Sequence, residues 1–409
     1  MDVLSNAILA EAAPAGNAFL LRYDAVAGIA TGLSLRVALV QDAENRREVF
    51  LMTVRDYDLL GQSGARAVEI GLAAAEWYHT EIPRKEMKAL MKRSDAPAIR
   101  DTLIYYGAML LLAGLAVALW PGGWAVPVLL AYGVLYASGA DSRWHEAGHG
   151  TAFRTPWMND VVYQIASFML LRNPTIWRWS HARHHTDTII VGRDPEIITM
   201  RPPDIAKALL LFVGLDSVQS FFKMFRYATS GPNASEFSFL PETEAASVKR
   251  VARIWIAIFG ATIFVAVVTG SVLPLLLIGG PVLYGSWHYV MTGFMQHTGL
   301  ADNVIDHRLN SRTVLMNPIS RFIYWNMNYH IEHHMFPMVP YHALPVLHEK
   351  IRHDLPPPNR SILEGLREVY SALKRQLNDP EYRIEKELPS SARPYRMDFH
   401  AQALGSEQP

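Results

Sequence analysis

The sequence has no cysteine among its 409 residues. That absence excludes disulfides, thiolate-bound zinc, iron–sulfur clusters and cysteine nucleophiles, so any metal must be held by nitrogen or oxygen. Excess charge of either sign is missing as well. The 38 Lys and Arg residues balance 38 Asp and Glu residues, which leaves no global field to attract nucleic acid or a strongly acidic partner. The first thirty residues contain one basic residue, Arg22, and no basic run ahead of an apolar stretch. They do not read as a secretory leader, so membrane insertion is expected from internal segments.

What the chain has in quantity is hydrophobic residues, at 50%, gathered into uncharged runs. Residues 103–120 and 124–140 flank Pro121-Gly122-Gly123, and residues 254–269 and 272–293 flank Gly270-Ser271, the last run broken only by His288. Each pair reads as a transmembrane hairpin, with each run near the minimum length for about 30 Å of hydrocarbon. Buried core helices are the plain alternative. Arg84, Lys85, Lys88, Lys92, Arg93 and Arg100 precede the first pair, and Lys249, Arg250 and Arg253 precede the second. Neither outer turn contains lysine or arginine. The positive-inside tendency therefore places both entrances, residues 141–250 and everything after about residue 294 on the cytoplasmic face.

The expected architecture is mainly α: an integral membrane protein of four transmembrane helices in two hairpins, with a cytoplasmic helical cap. Two further stretches, 158–171 and 205–225, carry interspersed polar residues and are expected to lie at the interface rather than cross it. A small α+β N-terminal extension is expected from residues 1–83. There Leu33–Val40 and Val49–Val54 surround a polar tetrad, Asp42 to Asn45, as in a β-hairpin, and a helical pattern follows from Ala65 to His79. Residues 84–353 form the membrane domain. Residues 354–409 form a cytoplasmic tail with a charged helix near 361–377.

Three spacings stand out: His145-x-x-x-His149, His181-x-x-His184-His185 and His330-x-x-His333-His334. Residues three and four apart on a helix are neighbours, so each spacing can aim two or three imidazoles at one point. A single histidine is more often a hydrogen-bonded core or surface residue. With 16 histidines in the chain, however, two His-x-x-His-His patterns arise by chance on the order of one time in a thousand. His297, just beyond the last apolar run, would make a ninth imidazole. Nine are too many for one ion and suit two, with positions left open for oxygen. His288 is expected to have a structural or pocket role, and His342, His348 and His353 to lie on the surface.

Asp141, Glu146, Asp187 and Glu332, together with Asp194 and Glu196, are candidates to accept the second N–H of a metal-bound imidazole. Trp144, Trp177, Trp179, Tyr324, Trp325 and Tyr329 flank the clusters, where they either wall a pocket or anchor at the interface. Two rival readings stand beside the dimetal one. His145-Glu146-x-x-His149 also matches a zinc-hydrolase signature in which the glutamate is the base, though it leaves six clustered histidines unused. A histidine-based metal transporter would place titratable groups at mid-membrane, whereas these clusters lie outside the apolar runs.

The three spacings, their order and the paired apolar runs between them resemble the membrane fatty-acid desaturase and hydroxylase superfamily over residues 84–353. Gln296-His297 and the stretch from His333 to Pro340 add to the likeness. Within the superfamily, the stretches around HEAGHGTAFRT and HHTDTIIVGRDPEI are more similar to bacterial small-molecule oxygenases of the rhizopine type. The resemblance implies a non-haem diiron centre on His145, His149, His181, His184, His185, His297, His330, His333 and His334, with dioxygen as co-substrate. It implies oxidation of a C–H bond in a lipid-like or small organic substrate, hydroxylation or oxidative dealkylation being favoured and desaturation being the alternative. It also implies a bacterial inner-membrane location and electrons from a separate donor, a ferredoxin with its reductase.

Overall fold

The computed structural model describes residues 55–397 and, ahead of them, the strands β1 (Leu20–Asp24), β2 (Arg36–Gln41) and β3 (Arg47–Met52). The chain divides into two compact units, Met1–Asp56 and Tyr57–Pro409. In the first, the strands form an antiparallel sheet in the order β1-β2-β3, with Gln41 opposite Arg47 and Leu20 opposite Val40. The residues expected to turn between Asp42 and Asn45 lie outside the described residues. β1 was not expected from the sequence.

The second unit is helical. The helical pattern read from Ala65 to His79 is cut short: the helix is Gln62–Glu69, and Gly71 follows in the left-handed region at φ 77°. Beyond a short 3-10 turn the chain runs on without helix, Tyr78 hydrogen bonding to the Ile305 backbone instead. The reversal lets Ala67 and Leu72 pack on Ile190 and Ile305, contacts a straight helix would forfeit.

Among the described residues, two helical segments are long and apolar enough to cross a bilayer: Arg84–Leu119, with mean hydropathy 2.0, and Glu242–Thr269, with mean hydropathy 2.3. The helix Asp95–Leu119 has 25 residues, about 37 Å at 1.5 Å per residue. Its outer side chains, such as Leu110 at 74% exposure, have no protein against them, as suits a lipid-facing surface. The two return arms are less regular than the sequence suggested. The first runs from Ala125–Val134 through a π-helical turn, Leu135–Gly139, into Ala140–Gly148. The second is broken into Leu273–Leu277 and Pro281–His297, with Pro274 and Pro281 opening the pieces. Neither return arm is an unbroken α-helix of span length. The stretches expected at the interface form the helix Pro156–Leu170 and the pair Ile205–Leu211 and Leu215–Thr229, bent by 81° across Gly214, and by length and composition that pair also qualifies as one broken span.

The two return arms cross where Gly133 faces Gly285. A Cβ built on Gly285 would come within 1.9 Å of the Gly133 carbonyl oxygen, so the backbones touch as small residues allow in membrane helix pairs. This contact sets the distance between the arm that ends in His145 and His149 and the arm that ends in His297. Gly285→Ala is expected to destabilise the protein by about 1–3 kcal/mol, because backbone has no room to yield. Gly114→Ala, whose Cβ meets nothing within 4 Å, is expected to leave the melting temperature in detergent unchanged or raised. Equal melting of the two variants would refute the close crossing.

Candidate metal centre

Each cluster sits on a helix, and the second sits on one with a clear start signal. His145 lies in Ala140–Gly148 and His149 is its C-cap. The second cluster lies on Pro174–Thr186, where the Asn173 side chain accepts hydrogen bonds from the Thr175 and Ile176 backbone N–H groups and Pro174 fills the first position. His297 is the last residue of Pro281–His297, and the third cluster occupies His330–Met335.

All nine imidazoles converge, in two groups. His145, His149, His181, His185 and His333 form one, and His184, His297, His330 and His334 form the other, the ligand atoms of each group lying within 4.8 Å of one another. The division follows helical geometry. His181 and His185, four apart, share a face and enter the first group, while His184 is rotated into the second. His330 and His334 pair in the second group and His333 turns to the first. A single cluster was expected to aim at one point; instead the second and third clusters each serve both groups, while the first keeps to one.

Nε2 faces Nε2 throughout: His145 to His333 at 2.8 Å, His181 to His149 at 3.1 Å and to His185 at 3.2 Å, and His330 to His297 and to His334 at 3.0 Å. Two nitrogens held about 2.1 Å from one metal ion at a right angle stand about 3.0 Å apart. Hydrogen bonding alone does not account for this packing. His297 Nδ1 donates to the Asn310 carbonyl at 2.7 Å, so its Nε2 carries a lone pair aimed into the group. Burial, reinforced by neighbouring imidazoles, holds His145, His149, His185, His330 and His334 well below the ordinary imidazole range. Neutral rings with convergent lone pairs are what a transition metal requires.

The carboxylates that reach the rings are Asp194, 2.8 Å from His184 Nδ1, and Glu196, 3.0 Å from His181 Nδ1. Burial works against ionisation of Glu196, yet His181 holds its carboxyl down to about 2. Four other candidates are engaged elsewhere, because nearer donors claim them. Asp141 pairs with Arg172 at 2.6 Å, Asp187 with Arg183 and Arg193, and Glu332 with His348 and Thr313. Glu146 accepts from Thr151 Oγ1 at 2.8 Å and the Tyr341 N–H at 3.0 Å, is fully buried, and does not face the site's cavity. It is not placed as the base of a zinc hydrolase. His348 is thus buried rather than superficial, whereas His353 is exposed. His288 is buried in its helix apart from both groups. Spacing gave no sign of Asn310, nor of Thr188, whose hydroxyl lies 3.2 Å from His334 Nδ1.

A cavity of about 300 Å³ opens onto His145, His181, His184 and His297, and so onto both groups. Trp144 and Trp177 wall it. Tyr324, Trp325 and Tyr329 instead belong to the core, and Trp179 is partly exposed at 39%.

Asp194→Asn and Glu196→Gln are each expected to weaken metal retention about 10- to 100-fold, as loss of a partner to a ligand imidazole does. Glu146→Gln is expected to leave it within about threefold. Competition with a chromogenic chelator measures all three, and a Glu146 variant weaker than the Asp194 variant would overturn the assignment of partners.

The Fatty acid desaturase family model matches residues 118–365, which contain every clustered histidine. Among curated proteins, the chain is 28% identical to the Delta(12) fatty acid desaturase FAD2 of Calendula officinalis over 56% of this chain and 65% of that protein. It is 24% identical to the acyl-lipid omega-3 desaturase (cytochrome b5), endoplasmic reticulum, of Arabidopsis thaliana, over 55% and 62% of the two chains. It is 28% identical to the human fatty acid desaturase 3, over 58% and 57%. The chain thus spans about three fifths of the length of these relatives. With the match running from the return arm of the first hairpin through the second hairpin and all three clusters, the chain belongs to the fatty acid desaturase family.

Proposed function

We propose that this protein is a membrane-bound non-haem diiron oxidoreductase that uses dioxygen to oxidise a C–H bond of an organic substrate. The observation that carries the reading is the pair of imidazole groups, five and four strong, opening on one cavity. His145, His149, His181, His185 and His333 would hold one iron, and His184, His297, His330 and His334 the other. When bound, such a pair supplies the reducing equivalents that activate dioxygen against an unactivated C–H bond. The chain's part is to keep the rings neutral, orient them through Asp194, Glu196 and Asn310, and position the substrate carbon.

We read the reaction as hydroxylation or oxidative dealkylation of a small organic molecule, a reading supported by the polar side chains that interrupt the apolar wall of the cavity. Arg172 reaches Asp141 and lies over the ring of Trp144 at 4.8 Å, and Tyr289 donates to Asp216 at 2.7 Å. All of these residues line the cavity. A substrate bearing hydroxyl or amine groups would use them. Fatty-acyl desaturation at the same centre is the second reading, favoured by the names of the relatives. The two outcomes differ in whether a second hydrogen is removed, which depends on how the substrate is held.

Four spans, the two long helices with their two return arms, would put all nine histidines on the cytoplasmic side of a bacterial inner membrane. The basic residues ahead of each hairpin support that orientation. A chain without cysteine carries no iron–sulfur centre, so electrons would come from a separate ferredoxin and reductase. A relative whose name includes cytochrome b5 fits the same need.

Protein purified from iron-supplied cells is expected to contain about two irons per chain, removable by chelation and restored with ferrous iron. It is expected to consume dioxygen with a ferredoxin, a reductase and NADPH once a substrate is found. One tightly held zinc per chain, with no iron and no activity after iron loading, would reject the reading.

A further inference from the structure

The segment after Ala75 lies across the third histidine element. Tyr78 hydrogen bonds to the Ile305 backbone and to Asp354, and Thr80 to Met335 Sδ and Asp354. Immediately ahead of these anchors Trp77 is held flat. Its ring stacks on His307 at 4.2 Å with 6° between the planes, and its Nε1–H donates to the Thr186 carbonyl at 3.0 Å. His307 in turn lies 5.2 Å, centroid to centroid, from His334 of the second group. Trp77 is partly exposed, and His307 is buried at 2% exposure with no hydrogen-bond partner for its Nδ1. Neither residue lines the cavity.

The proposed chemistry consumes electrons the chain cannot store, and the cavity is the place for substrate. A separate carrier therefore needs a close approach to the metals from another side. Electron tunnelling weakens steeply with distance, so a short run of packed groups between surface and metal site serves it. Trp77 stacked on His307, with His307 tilted at 43° beside His334, is such an approach, running by ring contacts from the surface to an imidazole of the second group. Packing alone would be served by any large apolar residue, and an aromatic stack adds only about 0.5–1.5 kcal/mol to it. Stability thus gives no reason for a buried histidine there.

We propose that Trp77 and His307 form the route by which electrons from a protein one-electron carrier reach the metal pair. The proposal rests on the diiron reading above. In each passage the reduced carrier loses one electron and one ferric ion of the pair becomes ferrous, with no bond made or broken; two passages reduce the pair.

The absence of cysteine in the chain permits a direct test. A ruthenium polypyridyl photosensitiser is attached to Glu76→Cys, beside Trp77, or to Lys207→Cys, which is exposed and borders the cavity. The labelled full-length protein is iron-loaded in nanodiscs, its iron content is measured, and a flash injects one electron with a sacrificial donor present. Bleaching of the ferric absorption gives the rate. From Glu76→Cys, adding Trp77→Leu or His307→Leu is expected to slow reduction by at least about tenfold, and Trp77→Phe to stay within about twofold. From Lys207→Cys, the same substitutions are expected to change nothing. Leucine variants that match their parent at Glu76, or that slow both labelled positions equally, would overturn the route. Protein that takes up no iron would overturn the diiron reading itself, a result seen before any flash.

Discussion

Eight imidazoles bring Nε2 atoms to about 3 Å from one another, seven of them held neutral by burial, and lone pairs at that distance repel unless a cation lies between them. Several rings are held from behind. His181 and His184 are gripped by Glu196 and Asp194, and His297 by the Asn310 carbonyl. The cost of assembling the groups is met by the structure around them, and a metal ion turns the same convergence into a gain.

That surrounding structure has two supports. Beneath the histidine elements, Trp144, Tyr163, Trp325, Tyr341 and Leu344 form a continuous core. Beside them, Arg308 is fully buried between Asp306 and Asp354, with bonds to the Arg393 and Pro394 carbonyls and its guanidinium 3.7 Å from the ring of Tyr78. A buried ion pair adds little net stability, but breaking one is costly. This network therefore acts as a lock: it fixes His307, the neighbour of Arg308, and ties the C-terminal segment and the strap around Trp77 to the third histidine element.

In the proposed enzyme, substrate and electrons would use separate approaches to the same pair of imidazole groups. The cavity touches His145, His181, His184 and His297 and is walled by Arg172, Asp141 and Asp216. The Trp77 stack meets His334 from elsewhere. Both groups are open to the cavity while only the second is touched by the stack, so the two groups differ in surroundings as well as in ligand number.

The sequence by itself determined the composition of the centre. A chain without cysteine, with eight histidines at helical spacing and a ninth after an apolar run, could build little other than a nitrogen-held metal site, because spacing along a helix is a local property. The two long helices were legible for the same reason, as was His297. Tertiary structure alone decided the rest. It split the second and third clusters between two groups, since a helix presents residues 181 and 184 in different directions and only the neighbouring elements say where each leads. It assigned Asp194 and Glu196 to the rings and turned Asp141, Glu146, Asp187 and Glu332 to other partners, since a carboxylate goes to the donor nearest in space. It also brought Trp77 and His307, 230 positions apart in the numbering, into a stack that no periodicity records.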